Sequence, residues 1–242
     1  MRGGAETSAA LAAGVIELGV GGHLQTAEAR LAGHDQVFVC GLGFEQPPEH
    51  LVVHVVGSAS MSLGSLAGAR VGVTARGAIS DLQLRLAVSG EVELEVMPFT
   101  EMAGALAAGR VDAVSIVEPF ASQLLAGGSG RLLSSGSLAS ALPNGQRALI
   151  AGVIGARAWL NSHAEEVAAF VKAIAQAAAR LSVDADAART MIATYTRTPY
   201  SGALPLFDAA TSAADLQLVY DLAQQHGLLP HHVDADEVLY VA

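Results

Sequence analysis

A stretch near the start of the sequence, ALAAGVIELGVGG at residues 10–22, returns as ALAAGRVDAVSIVEP at residues 105–119. The offset is 95 residues, and Glu6 and Glu101 precede the two copies at that same spacing. Each copy has an alanine-rich segment of good helix formers, a glycine that suits a helix C-terminus, and a short apolar run typical of a strand. Chance repetition in an alanine-rich chain is the alternative, but the paired glutamates favour a helix–glycine–strand unit that occurs once in each of two similar lobes.

The composition limits the kinds of protein that this chain can be. Of its 242 residues, 52% are hydrophobic and 15% charged, which excludes a disordered chain and allows one large domain or two lobes. The net charge is −10 and Lys172 is the single lysine, so the sequence predicts no nucleic-acid partner. The lone cysteine, Cys40, permits neither an intramolecular disulfide nor a cysteine metal cage. No apolar run reaches the length of a membrane span, and the start of the sequence indicates folded protein instead of an export signal.

Predicted helices and strands alternate along most of the chain, which is typical of an α/β fold with largely parallel sheets. Thr100, Ser162 and Ser212 are the expected N-caps of three helices, and Glu165 would complete a capping box with Ser162. Residues 128–146, rich in glycine and serine, are predicted to form a loop. The predicted helices lie at 6–14, 26–33, 80–88, 99–109, 120–128, after Ser162, at 184–195 and at 212–226; the predicted strands lie at 15–22, 36–43, 50–56, 70–73, 111–119 and 148–155.

One segment supports two different local structures. Residues 81–96, DLQLRLAVSGEVELEV, alternate apolar and polar residues on both sides of Ser89-Gly90, which by periodicity alone indicates a β-hairpin. A helix over 80–88 followed by a strand fits the surrounding rhythm of helices and strands better. We therefore expect the helix.

Three motifs in order, GVIELGVGG, SLAGARVGVTARGAISD and ALAAGRVDAVSIVEPF, resemble those of substrate-binding proteins of bacterial ABC importers. The similar branch is the one for sulfonates, taurine, nitrate and thiamine-precursor pyrimidines. The resemblance implies an α/β, two-lobed fold of the type 2 periplasmic-binding class, with a hinge of two crossing strands, LVVHVV and ALIAGVIG. It also implies a first lobe of residues 1–56 plus 150–242 and a second lobe of residues 57–149.

The sequence departs from this family pattern in two ways. Family members begin with a strand, a helix and a second strand before the first glycine motif, whereas this sequence begins after them. We therefore expect a first lobe without its N-terminal elements. Glu17 stands where the first motif normally has an aspartate, which is a mild change.

The candidate ligand-binding residues follow the strand ends, where ligands bind in parallel α/β sheets. In the loop 74–80, Gly77 permits close backbone approach, the start of the next helix offers N–H groups to an anion, and Arg76 adds a charge-assisted bond. Thr74 and Ser80 would donate hydroxyl bonds to a ligand or cap the helix, and capping is the favoured role of Ser80. The two repeated strands end at Gly21, Gly22 and His23 in the first copy and at Glu118 in the second, and these two ends would face each other across one ligand cleft. Glu118 would accept a hydrogen bond from a ligand amine or position Arg76.

Other chemistry is not indicated by the sequence. It contains no phosphate-binding loop of the G-x-x-x-x-G-K-[ST] type, no G-x-S-x-G elbow and no H-E-x-x-H motif. The segment 230–237, PHHVDADE, holds metal-capable residues but lacks a helical ligand spacing, and it is better explained as a solvated tail. We therefore expect no catalytic residues, no cofactor and no metal.

Two functions remain open. The first is a monomeric, extracytoplasmic solute-binding protein that closes two lobes around a small polar, anionic molecule and delivers it to an ABC permease. The second is a cytosolic biosynthetic enzyme on the same fold, of the menaquinone- or thiamine-precursor type. The absence of an export signal favours the second function and keeps a cytoplasmic location open, whereas the absence of a catalytic cluster favours the first.

Overall fold

The computed structural model describes residues 3–143 and 146–241. The chain divides into two compact units: unit 1 comprises Met1–Phe44, Arg147–Val183 and Leu206–Ala242, and unit 2 comprises Glu45–Gln146 and Asp184–Pro205. The division falls at other residues than those expected for the two lobes. The main reason is that the strand formed by residues 53–57 hydrogen-bonds only to strands of unit 2.

Unit 1 is built on a three-stranded sheet with helices around it. Its strands are β1 (Leu18–Gly21), β2 (Gln36–Glu45) and β8 (Ala148–Ala156), in the order β1-β8-β2, with β1 antiparallel to β8. The helices are α1 (Gly4–Ala12), α2 (His23–Leu31), α7 (Arg157–Ser162), α8 (Ala164–Val183), α10 (Ala213–Gln225) and α11 (Ala235–Val238). Val37, Val39 and Val153 form part of the core between the sheet and α7 and α8.

Unit 2 is built on a five-stranded sheet in the order β5-β4-β6-β3-β7. Its strands are β3 (Val53–Gly57), β4 (Arg70–Val73), β5 (Glu93–Val96), β6 (Ala113–Val117) and β7 (Arg131–Ser135). Its helices are α3 (Ile79–Ala87), α4 (Phe99–Ala107), α5 (Phe120–Ala126), α6 (Ser137–Ala141) and α9 (Ala185–Thr196). Two hydrophobic clusters cover the two faces of this sheet, one with Val114 and Ile116 and the other with Val55 and Val71.

The repeat predicted from the sequence is present in the backbone. Helix α4 begins and ends 95 residues after α1, and β6 begins 95 residues after β1. Gly14 and Gly109, at the same offset, both end their helices with a left-handed φ, +64° and +67°. Each of these glycines donates its N–H three residues back, to Leu11 in the first copy and to Leu106 in the second. The helix–glycine–strand unit therefore occurs twice, once in each unit.

The sheets are mixed instead of largely parallel. Strands β4, β5 and β6 are parallel, but β3 is antiparallel to both β6 and β7. The two strands expected to cross between the lobes, β3 and β8, each pair within a single unit. The helix favoured over 80–88 is confirmed as α3.

Several local expectations were wrong. Residues 128–146 are not only a loop, since they contain β7 and α6. Thr100 lies inside α4, whose N-cap is Pro98, because Phe99 already has helical geometry. Ser162 ends α7 and donates back to the carbonyl oxygen of Trp159 at 2.9 Å, so it does not open α8. Ser212 does cap α10, in a capping box with Asp215.

In the part of the chain that the structure describes, no helix combines the length and the apolar character that a membrane span requires.

Candidate functional site

The strands β4 and β6 of unit 2 bring two predicted site segments to one edge of the sheet. They are parallel neighbours, with Val71 opposite Ala113 and Gly72 opposite Val114. The carboxyl ends of both strands therefore lie at the same edge, where ligands bind in parallel sheets. The loop 74–80 follows β4, and Glu118 follows β6. The structure thus places these two predicted segments on neighbouring strands.

The loop 74–80 is held together by side chains. The Ser80 hydroxyl lies 3.0 Å from the Thr74 hydroxyl and accepts from the Thr74 N–H at 3.3 Å. Gly77 has a φ of +73°, which favours glycine, and its N–H donates to the buried Asp81 carboxylate at 2.9 Å. The N-cap of α3 is Ala78, so the expected capping role of Ser80 was wrong.

These bonds decide which donors remain for a ligand. The Gly77 N–H is already satisfied by Asp81 and is not free for an anion. The N–H groups of Ile79 and Ser80, in the first turn of α3, have no acceptor within the helix, as at every helix start. The helix dipole adds a partial positive charge at this point. Ser80 is 0% exposed, so the Ile79 amide and the Thr74 hydroxyl are the groups that this helix start leaves for a ligand.

Arg76 is the exposed cation of this loop. Its guanidinium donates to the carbonyl oxygen of Leu94 at 3.3 Å. Among residues 3–143 and 146–241, Arg76 takes part in no ion pair, and the expected contact with Glu118 is absent. Its charge is therefore not neutralised by a carboxylate of the described chain.

Glu118 is held in place by Ser122 and lies next to His54. Its carboxylate accepts from the Ser122 hydroxyl at 2.8 Å and from the Ser122 N–H at 3.1 Å. Its Oε1 atom also lies 3.4 Å from Nε2 of His54, and both side chains are 9% exposed. Nδ1 of His54 in turn lies 2.9 Å from the hydroxyl of Ser135. Burial, followed by the nearby Glu118 charge, raises the pKa of Tyr200.

Sequence reasoning missed the residues around Glu118. The signal for Ser122 was its position four residues after Glu118 on the helix that follows. The signal for His54 was a polar residue inside the otherwise apolar run LVVHVV. Nothing in the sequence indicated Ser135, because residues 128–146 were predicted to be a loop and no strand was expected there.

Glu45 is a second carboxyl of unit 2 that the sequence did not single out. It is 0% exposed, and its Oε1 atom accepts the N–H groups of Val52 and Val53 at 2.8 and 2.7 Å. Its Oε2 atom is buried without a hydrogen-bond partner in the described chain. Burial raises the pKa of Glu45 to about 7, although the amides of Val52, Val53 and Ala139 and the nearby His54 act in the opposite direction.

The predicted residues of unit 1 have a different environment. Gly21 ends β1 and Gly22 is the extended N-cap of α2, where the Gln25 side chain occupies the space of a Cβ. His23 is 0% exposed, with its ring 6.5 Å from that of Phe38. Burial lowers the pKa of His23 to about 3, so the ring is neutral at physiological pH. The structure therefore places the His23 ring in the core of unit 1, away from solvent.

Within the described residues, no three histidine, cysteine, aspartate or glutamate side chains come close enough together to hold a metal ion.

Several solved structures that this chain resembles are ligand-binding proteins. The alkanesulfonate-binding protein SsuA from Xanthomonas axonopodis pv. citri, bound to MOPS, has a TM-score of 0.80 and 23% identity over 100% of this chain and 86% of its own. The ligand-binding component of an ABC-type import system from Staphylococcus aureus has a TM-score of 0.78 and 18% identity, over 99% and 84%. The periplasmic aliphatic sulphonate-binding protein SsuA from Escherichia coli has a TM-score of 0.69 and 20% identity, over 99% and 84%.

These likenesses show that the chain has the two-lobed α/β fold of periplasmic binding proteins, as the sequence motifs implied. The model of the NMT1-like family matches residues 49–196, which is more than half of the sequence. The chain belongs to the NMT1-like family. A search of curated proteins finds no match.

Proposed function

We propose that this protein is a solute-binding protein that captures a small anion, with a sulfonate as the first candidate, and delivers it to the membrane permease of an ABC importer. It acts outside the cytoplasm, as a monomer, and releases its ligand chemically unchanged. The observation that carries the proposal is the edge of the unit 2 sheet, where one loop combines a helix-start amide, the Thr74 hydroxyl and Arg76, which forms no ion pair with the described residues. The folds of the sulfonate-binding proteins support the same ligand class.

The chemistry of this loop suits an anion with several oxygens. A sulfonate accepts from amide, hydroxyl and guanidinium donors at once, and charge-assisted bonds to Arg76 are about twice as strong as neutral ones. The chain carries a net charge of −10, which repels anions at long range. Binding therefore needs concentrated local donors, and the Thr74–Ser80 loop supplies them.

Isothermal titration calorimetry tests the proposal with propanesulfonate, taurine, nitrate and a hydroxymethylpyrimidine as probes. Wild-type protein is expected to bind at least one sulfonate. Arg76→Ala is expected to weaken that binding about tenfold, the loss of one hydrogen bond to a charged group. Arg131→Ala, at an exposed arginine of β7 in the same unit, is the matched control and should bind like wild type.

Two results would contradict the proposal. If no probe binds, the ligand class is wrong. If Arg76→Ala and Arg131→Ala bind a sulfonate equally well, the site does not include the loop 74–80.

A further inference from the structure

A line of four polar side chains runs through unit 2 and ends at the sheet edge. It comprises Ser135, His54, Glu118 and Ser122, and we call it the His54 chain. His54 on β3 and Ser135 on β7 are direct cross-strand partners. The Ser135 hydroxyl lies 2.9 Å from Nδ1 of His54, and Nε2 of His54 lies 3.4 Å from Oε1 of Glu118. The Ser122 hydroxyl donates to the same Oε1 atom of Glu118, and the Ser122 N–H donates to Oε2.

The burial of His54 makes this arrangement more than a surface contact. His54 is 7% exposed, and its buried Nε2 atom has no hydrogen-bond partner of normal geometry within the described chain. It faces Glu118 at ion-pair distance. An unpaired buried ring nitrogen costs free energy. Among the ion pairs of the described residues, the partner of this atom is the Glu118 carboxylate.

The neighbours fix which ring nitrogen carries the proton. If Nδ1 carried it, the lone pair of Nε2 would face the Glu118 carboxylate and repel it. If Nε2 carries it, the ring donates towards Glu118 and the Ser135 hydroxyl donates to Nδ1. The second arrangement gives Nδ1 a donor and directs the Nε2 proton towards the Glu118 carboxylate, whose Oε1 atom lies 3.4 Å away.

The charged groups around the His54 chain leave Glu118 without a permanent cation. His54 acts electrostatically on Glu45, at the end of β2. Tyr200 adjoins Glu118, and Arg189 of α9 acts on Tyr200. Among the ion pairs of the described residues, Glu118 has His54 as its sole partner. The carboxylate is therefore held in place while it keeps its capacity to accept from a ligand.

We propose that His54, held by Ser135, is a positioning residue that aims the Glu118 carboxylate, and that Glu118 selects ligands bearing an N–H or ammonium donor besides their anionic group. The inference rests on the proposed function, since it assigns the second end of the same ligand. Neighbouring strands of a sheet lie about 4.8 Å apart, so the loop after β4 and the carboxylate after β6 are separated by roughly the span of a small zwitterion.

The first test needs no ligand. Nitrogen-15 NMR of the histidine rings reports which nitrogen of His54 carries the proton. Wild type is expected to show the Nε2–H form. Ser135→Ala should populate both forms, because Nδ1 then has lost its donor. An Nδ1–H form in wild type overturns the inference whatever the protein binds.

The second test measures selectivity with a matched pair of probes, taurine and propanesulfonate, by calorimetry. Wild type is expected to prefer taurine, and Glu118→Gln and His54→Leu to reduce that preference about tenfold. His54→Gln should restore most of it, since the glutamine amide can donate from near the position of Nε2. His231→Leu, at an exposed histidine of unit 1, is the control and should keep the wild-type preference.

The outcomes separate the inference from the function on which it rests. Normal propanesulfonate binding with an unchanged preference in His54→Leu overturns the positioning role and leaves the proposed function intact. If neither probe binds to wild type, both are wrong. If His54→Leu fails to fold, Ser135→Ala decides, because it removes only the hydroxyl that orients the ring and should lower the same preference by a smaller factor.

Discussion

Glu45 should make the stability of unit 2 fall as the pH rises, and replacing it by glutamine should remove that dependence. Its pKa rises from 4.5 to about 7 on folding because the carboxyl is buried. Below pH 4.5 both states are protonated, so the stability is fully present. Between pH 4.5 and about 7 the unfolded chain ionises while the folded one holds its proton, and the free energy of unfolding decreases.

The magnitude follows from the pKa difference. One pH unit corresponds to about 1.4 kcal/mol, so the loss is about 3 kcal/mol once both states are ionised, and about 2.5 kcal/mol of it falls between pH 5 and pH 8. Glutamine resembles the protonated acid, and its carbonyl oxygen can still accept from the amides of Val52 and Val53. Relative to wild type, Glu45→Gln should therefore become more stable by about 2.5 kcal/mol between these two pH values.

Urea denaturation of both proteins at pH 5 and pH 8 measures this difference. The large net negative charge gives every variant a background pH trend, which cancels because only the change in the wild-type-to-variant difference is used. Glu49→Gln, at an exposed residue of the following loop, is the control and should show a constant difference. If Glu45→Gln also shows a constant difference, the Glu45 carboxyl is already ionised in the folded protein and the reasoning is wrong.

Two further perturbations test the packing of unit 1. Burial lowers the pKa of His23 from 6.5 to about 3, so its contribution to the free energy of unfolding is present above pH 6.5 and is lost as the pH falls. In urea titrations, His23→Phe should therefore become more stable relative to wild type by about 3 kcal/mol between pH 7 and pH 4. A stability difference that stays constant with pH would show that the ring is not buried. Gly152→Ala should prevent folding or cost more than about 4 kcal/mol, because a Cβ there overlaps the Phe38 ring and the Cys40 carbonyl. Gly104→Ala, in α4 with open space around it, should gain up to about 1 kcal/mol by thermal unfolding; equal effects of the two alanines would contradict the Gly152 packing.

The repeated units were predictable because their signals are local. The alanine-rich helix, the glycine that ends it and the apolar strand are each determined within a few residues. The 95-residue offset adds support, because each element is predicted independently in both copies. The helix α3 needed the surrounding rhythm, since Leu82, Leu84 and Leu86 alternate as in a strand. In the helix, Leu82 and Leu84 are nevertheless both fully buried, and Leu84 packs in the cluster with Val55 and Val71 of the sheet. Packing outweighed the local pattern there.

The contacts of the candidate site were not predictable, because they depend on strand order. Ser135 contacts His54 because β7 pairs with β3, although the two residues are 81 positions apart in the sequence. Glycine and serine around β7 gave the segment the composition of a loop, although it forms the edge of a sheet. The prediction that Ser80 caps α3 was wrong for a similar reason. Ser80 bonds to Thr74 across the loop instead of to its own helix, and the local sequence does not distinguish these two roles of a serine.

The repeat also shows why backbone symmetry does not transfer function. At the shared offset, His23 corresponds to Glu118, and both follow the strand of their unit. β1 is the edge strand of its sheet and leads into α2, where His23 packs against aromatic rings. β6 is an inner strand between β4 and β3, so Glu118 meets the side chains of a neighbouring strand and a following helix. The same helix–glycine–strand joint therefore supplies a core contact in unit 1 and a candidate ligand contact in unit 2, and the difference comes from the strands beside it.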